Sequence, residues 1–287
     1  MSDQWPFRWD LLLRYRFIEV IALWEGRLTT RHLVETFGIG RQQASKDINT
    51  YNRDVGPNNL SYNKYLKGYE PSTIFTPRVT RGIAEEYLQL LANHSELHRT
   101  FSSTALPLGQ TEVLEPPQRP VSPDILRPLL LAARDRQRIE VDYVSVNNPD
   151  REGRIIAPHT LVWTGLRWHV RGWCEKNRDF RDFVLSRFRG QPELLGPTQL
   201  SAQDDTEWNV LIKLILQPDP RLTPQQQEVI AVDYGMKNGQ LEIPIRGRLV
   251  NYLLQLLNIN AGPPLTDPRA QQVIIANTAE IHPWLLT

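Results

Sequence analysis

The stretch ALPLGQTEVLEPPQRPVSP, residues 105–123, is rich in proline and has no apolar periodicity, so it reads as a linker or an irregular strap rather than a helix or strand. It separates two textures. Upstream, apolar residues recur at helical spacing. Beyond Arg138, runs of four to eight β-branched and aromatic residues are broken by Asn, Gly and Asp. With 287 residues, 40% of them apolar, such a chain builds two or three domains, each with its own core.

The first texture is specific. RWDLLLRYRFIEVIALWEG predicts a helix with Leu12, Tyr15, Ile18, Ile21 and Leu23 near one stripe and Gly26 as its stop. In LTTRHLVETFGIGRQQASKDINTYNRDV, Thr29 or Thr30 caps a short second helix carrying Leu33, Val34 and Phe37, and Gly38 and Gly40 bracket a tight turn. A third helix sets Ala44, Ile48 and Tyr51 inward at i, i+4 and i+7. Arg41, Gln42, Gln43, Ser45, Lys46 and Asn49 are left on or beside its exposed side. These residue types hydrogen-bond base edges and phosphates, although a plain helical hairpin would turn the same polar face to water. LSYNKYLKGYEP then offers a hairpin with alternating Leu60, Tyr62, Tyr65 and Tyr69, and places Lys64 and Lys67 on a wing beside a phosphate backbone. RQQASKDINTYNRD resembles the recognition helix of bacterial winged helix-turn-helix regulators of the DeoR-like type. The resemblance implies a DNA-binding domain over residues 1–78.

A helical connector and linker follow over residues 79–137. Ile83, Tyr87, Leu90 and Leu91 share one side of a helix within residues 80–98, and Ser122-Pro123 starts another that Pro128 kinks or pushes later. The second texture then gives IEVDYVSVN, REGRIIAPHTLVWTG, LRWHVRGWCEK and DFRDFVLSRFRG as strands of a small, strongly bent antiparallel sheet or barrel. In the third of these Arg167, His169, Arg171 and Trp173 share one side, while Trp168, Val170 and Gly172 take the other; in the last, Arg181, Phe183, Leu185 and Arg187 share a face. The cationic row faces solvent, with salt bridges to Glu152, Asp179 and Asp182, or it converges on an anion. The ligand-binding set for the second case is Arg154, His159, Arg167, His169, Arg171, Ser186 and Arg187, since guanidinium forks bind phosphate bidentately.

Residues 139–190 resemble the WYL domain, a small SH3-like or Sm-like β-barrel of bacterial transcription regulators. The tripeptide that names that family stands here as Trp168-His169-Val170, with two departures, and FRDFVLSRFRG is similar to its closing strand with its arginine. The sensing domain is placed at residues 138–200. Residues 201–287 form a C-terminal extension: a strand TEWNVLIKLIL, a helix capped by Thr223 and Pro224, a strand QLEIPIRG and a helix RLVNYLLQLLNI with Leu249, Tyr252, Leu253 and Leu256 as core. The fold class is α+β multidomain: winged helix-turn-helix, central WYL barrel, small α+β extension. Nearly the whole chain is similar to the BrxR and CapW regulators of phage-defence loci, in which such an extension helps pair two subunits.

Composition narrows the function. A formal net charge of +1 excludes nucleic-acid binding by sheer basicity but leaves room for a basic face. The single cysteine, Cys174, permits neither an intrachain disulfide nor a thiolate metal cluster. MSDQWPFRWD lacks a basic stretch followed by an apolar run, and no window approaches about 18 apolar residues, so the expectation is a cytoplasmic chain without a membrane span. His94 and His98 stand at i, i+4 without an HExxH glutamate or a third ligand, and the glycines of FGIGR follow no long apolar strand. No enzyme, cofactor or metal is therefore expected. The resemblance implies a repressor of a phage-defence operon that binds an inverted repeat of double-stranded DNA as a homodimer. Its affinity is modulated at the WYL domain by an anionic effector, a nucleotide or single-stranded nucleic acid. The alternatives are a nucleic-acid-processing or nucleotide-metabolising accessory enzyme using the basic barrel, or a scaffold in a defence complex. His169, in place of the family's tyrosine, predicts an effector response that changes between about pH 5.5 and 7.5, where imidazole titrates.

Overall fold

The computed structural model describes residues 7–100, 112–114, 116–147, 149–263 and 265–285, with residues 93–100 described by backbone alone. Two compact units form, residues 1–115 and 116–287.

In the first unit α1 (Trp9–Glu25) ends at Gly26, whose φ of 68° turns the chain out of the helix. Helix α2 (Thr30–Phe37) starts at Thr29, whose N–H donates to His32 Nδ1 at 3.2 Å, and α3 (Arg41–Thr50) follows after Gly38 and Gly40. Tyr15, Ile18 and Ile21, Leu33, and Ala44, Ile48 and Tyr51 pack into one core, which the helical spacing predicts. Burial on α1 is broader than one stripe. Phe17, Glu19, Val20 and Ala22 are also buried, whereas Leu12 and Leu23 are only half-buried. The wing is β1 (Leu60–Asn63) paired antiparallel with β2 (Gly68–Pro71). Leu28 adds a third rung by exchanging two 2.7 Å backbone hydrogen bonds with Tyr69. The chains approach so closely there that a Cβ on Gly68 would lie 2.8 Å from the Leu28 carbonyl oxygen.

Helix α4 (Ala84–Thr100) leans Leu90 on this core. Ile83, expected on its apolar stripe, precedes the helix and is exposed. Glu86 is buried instead, because its carboxylate accepts the backbone N–H groups of Arg81 and Gly82 at the helix entry. His94 and His98 lie outside the residues whose side chains are described.

In the second unit α5 (Pro123–Arg134) begins where Ser122 Oγ accepts the Asp124 N–H, and it runs through Pro128 without a delayed start. Burial of Leu129 and Ala132 against the sheet holds the turns after the proline. Strands β3 (Gln137–Tyr143), β4 (Glu152–Trp163), β5 (Trp168–Cys174), β6 (Asp179–Val184) and β7 (Phe188–Pro197) form one antiparallel sheet in the order β6-β5-β4-β3-β7. A bulge at Pro158–Thr160 and two register shifts between β3 and β7 bend it. The Val184 N–H donates to Tyr143 Oη at 3.0 Å and ties the end of β6 back to β3. The last β run is not one strand: Leu185–Arg187 is a 3-10 turn, so the alternation expected from Arg181 to Arg187 stops at Leu185.

The C-terminal part comprises α6 (Thr206–Asn209), β8 (Leu211–Pro218), α7 (Pro224–Asp233), β9 (Leu241–Arg246), α8 (Val250–Leu256) and β10 (Val273–Ile275), with sheet order β10-β8-β9. The strand expected from Thr206 starts later, at Leu211. Asp205 accepts the Trp208 N–H and turns residues 206–209 into a helical turn. Thr223 and Gln226 cap α7 reciprocally. On α8 the fully buried residues are Val250 and Leu254; of the predicted four, Leu253 packs half-buried against the same core and Leu249 lies in the 3-10 turn before the helix. Leu256 reaches toward Gly165, and Tyr252 toward β5 and β6. Among the described residues no helix is long and apolar enough to cross a membrane.

Candidate DNA-binding face and sensor site

Helix α3 presents Arg41, Gln42, Gln43, Lys46 and Asn49 to solvent, with Ser45 half-buried beside them. Among the described residues, the side chains of Arg41, Gln42 and Lys46 have no carboxylate or hydrogen-bond partner. The opposite side of the helix is fixed by charge. Asp47 is buried and accepts from Arg14 Nε and from Gln43 Nε2, both at 2.7 Å. The end of α3 is held by Glu19, a wholly buried carboxylate on α1. It accepts Tyr51 Oη at 2.8 Å, the Arg78 and Thr80 N–H groups at 2.7 and 2.9 Å, and Thr80 Oγ1 at 2.7 Å. Burial and the Glu19 charge push the Tyr51 phenol up, so it stays a donor. Sequence reasoning missed both anchors; a single acid in the middle of an apolar helix was the available signal for Glu19.

The wing carries Lys64 and Lys67 on an exposed turn. Asn63 Oδ1 accepts the N–H groups of Tyr65 and Leu66 at 2.9 and 3.1 Å, and Arg27 Nε donates to the Leu66 carbonyl at 2.6 Å. Lys67 adopts the left-handed conformation that closes the turn, at φ 48°. Asn49 Oδ1 accepts from Tyr69 Oη at 3.4 Å, a link between α3 and the wing. The result is a rigid polar surface with unneutralised cations, suited to a phosphate backbone and base edges.

In the second unit the cationic row of β5 is not at the surface. Arg171 and His169 are each 1% exposed, so both faces of the strand are covered. Arg171 Nε and Nη2 donate to the two oxygens of Asp205 at 2.6 and 3.0 Å, and Nη1 donates to Asp182 at 3.2 Å. His159 Nε2 shares the Asp205 carboxylate at 3.1 Å. Burial alone would raise the Asp205 carboxyl, but the Arg171 hydrogen bonds and charge, the Trp208 N–H and His159 together outweigh it and hold the group below its usual range. Arg154 donates to Asn177 and Glu152 and lies over the Tyr143 ring. Two of the seven expected ligand residues, His159 and Arg171, thus have their donors answered within the chain, and Arg154 is answered at both Nη groups but not at its buried Nε.

Of the other four, Arg167 and Arg187 lie near His169 at the start of β5. His169 stacks on Tyr252 of α8 with ring centroids 5.0 Å apart, and its Nδ1 is buried with no hydrogen-bond partner. Burial pushes its imidazole down to about 4, opposed by Asp182 and reinforced by the nearby Arg167 and Arg187. Arg167, Ser186 and Arg187 are half-exposed, and among the described residues neither arginine has an ion-pair partner. Two free guanidinium groups flanking an unsatisfied buried imidazole can bind an anion. Burial that holds the imidazole near 4 favours neutral His169 from pH 5.5 to 7.5 in the ligand-free chain and so works against the expected pH-dependent response through this residue.

Fold and site together define a winged helix-turn-helix protein with a WYL domain. The BrxR transcriptional regulator winged helix-turn-helix domain matches residues 10–93, the WYL domain residues 124–191, and the BrxR C-terminal dimerization domain residues 211–281. The DNA-binding transcriptional repressor CapW of Escherichia coli (strain KTE188) is 33% identical over 282 residues, covering 97% of this chain and 93% of that protein. CapW of Stenotrophomonas maltophilia is 32% identical over 285 residues, with 97% and 93% covered, and CapW of Pseudomonas aeruginosa 33% over 281, with 96% and 91%. The chain belongs to the CapW family of BrxR-type regulators.

Proposed function

We propose that the protein is a transcriptional repressor that binds double-stranded DNA at an inverted repeat as a homodimer. The observation that carries this reading is the outward face of α3, where Arg41, Gln42 and Lys46 have no partner among the described residues and stand beside a cationic wing. The near full-length likeness to DNA-binding repressors and the match to a dimerization domain support it. Gln43, Ser45 and Asn49 complete the base-facing set, and Lys64 and Lys67 take phosphates. A single winged helix buries too little surface for operator specificity, so two copies read two half-sites. The setting is a phage-defence operon in the cytoplasm.

The same reading makes the WYL domain a sensor whose occupancy changes DNA affinity. Its ligand is an anion with phosphate groups, a nucleotide or single-stranded nucleic acid, held by Arg167, Arg187, Ser186 and His169. Footprinting on the DNA upstream of the protein's own gene tests the first part: a symmetric protected region is expected, and no protection at protein concentrations up to micromolar overturns it. Titrating the protein–operator complex with adenosine triphosphate and with a ten-nucleotide single strand tests the second.

A further inference from the structure

Between the WYL match, which ends at residue 191, and the dimerization match, which begins at residue 211, lie Asp205 and Trp208, and both are buried. They join a continuous chain of charged and aromatic contacts from one sheet to the other. Asp182 on β6 meets Arg171 on β5, Arg171 meets the Asp205 carboxylate bidentately, and its guanidinium lies 5.6 Å from the Trp208 ring. The Arg246 guanidinium of β9 lies 4.8 Å from the same ring and donates to the Trp208 carbonyl at 2.6 Å. A second strut runs beside the first: Tyr252 of α8 donates to Asp182 at 3.3 Å and stacks on His169.

A buried ion pair is a poor way to gain stability, because desolvation cancels much of the attraction and an apolar pair of similar volume packs as well. What a bidentate carboxylate–guanidinium pair supplies is direction: two parallel hydrogen bonds fix distance and plane together. Arg171 is the largest fully buried side chain of the described residues; its Nε and Nη2 are turned to Asp205 at the junction, while Nη1 stays on Asp182 of the WYL sheet. We propose that Asp205 is a positioning residue that, through Arg171, sets the orientation of the dimerization domain on the WYL sheet and thereby the half-site spacing the dimer accepts. The proposal rests on the reading of the protein as a dimer on an inverted repeat. Asp205 touches no DNA; it acts on which operators fit.

The test compares full-length wild type with Asp205→Asn, which keeps the shape and removes the charge, and with the apolar pair Arg171→Met/Asp205→Leu, which keeps the volume. Each is assayed for dimerisation by light scattering. Each is then titrated on the natural operator, on one with half-sites moved apart by about five base pairs, half a helical turn, and on a single half-site. Wild type is expected to lose at least tenfold in affinity on the lengthened operator. The variants should remain dimeric, bind the single half-site like wild type, and discriminate the two spacings by less than threefold. Retained tenfold discrimination in the apolar pair overturns the proposal, and so does failure of that pair to fold, which would make the cluster ordinary core. A monomeric wild type, or one indifferent to spacing, overturns the dimer reading itself and the proposal with it.

Discussion

Gln43 Nε2 donates to Asp47 Oδ1 at 2.7 Å, one turn along the same helix, so one of the amide's two N–H donors is used in holding α3 rather than reading DNA. The Gln43 carbonyl oxygen and the unpartnered Gln42 amide remain for bases. Replacing Gln42 by Ala is expected to cost about 1–3 kcal/mol of operator affinity and relax one base position. Gln43→Glu adds a like charge beside Asp47 and should weaken binding more than Gln43→Ala does. Gel-shift titrations against single-base operator variants measure both, and wild-type affinity and preference in the Gln42 variant would remove this residue from the readout.

Glu19 gathers donors from two places: the end of α3 through Tyr51, and the strap at residues 78–80. Glu19→Ala leaves several buried donors unsatisfied at about 1–3 kcal/mol each, so the first unit should lose roughly 3 kcal/mol or more. Urea unfolding followed by tryptophan fluorescence measures this. A shift within about 0.5 kcal/mol would show that water replaces the carboxylate.

Burial depresses the His169 imidazole to about 4, below an unfolded value of about 6.5. As pH falls, the unfolded chain takes up the proton first, so the stability present above pH 6.5 is lost progressively toward pH 4. The full loss is roughly 3 kcal/mol for this residue. His32 and His159 are shifted downward by burial as well and add to the slope. His169→Phe should flatten the decline in unfolding free energy between pH 7 and 5. Parallel slopes for variant and wild type would place the acid sensitivity elsewhere.

The helix-turn-helix was legible because its signals are local. Gly26 and Gly38 stop helices, and Ala44, Ile48 and Tyr51 recur at helical spacing, all within a few residues of the structure they specify. The strands of the second unit were legible for the same reason. Asp182 was legible as a partner for Arg171, but Asp205 was not, because it lies 34 residues away and alternation reports only that a side chain leaves one face of a strand. Whether that face meets water or another domain is decided by chain that folds back later, as Tyr252 and Trp208 do here. Strand β10 escaped because Val273–Ile275 is too short to carry a pattern.

The cations of the second unit separate into two kinds, and substitution should tell them apart. Arg171→Ala leaves Asp205 buried with only His159 and backbone as partners, which should cost about 3–5 kcal/mol and lower the unfolding midpoint sharply. Arg167→Ala and Arg187→Ala break no ion pair, so stability should stay within about 0.5 kcal/mol and ligand-free operator affinity should not move. Their effect belongs to the anion. Each lost guanidinium should weaken binding of a ten-nucleotide single strand, and the double variant should abolish the strand's effect on the operator complex. Fluorescence anisotropy with a labelled strand, run beside thermal melts of the same preparations, reads both quantities. If the double variant binds the strand like wild type, these two arginines are a solvated face and the ligand, if the domain takes one, is held elsewhere.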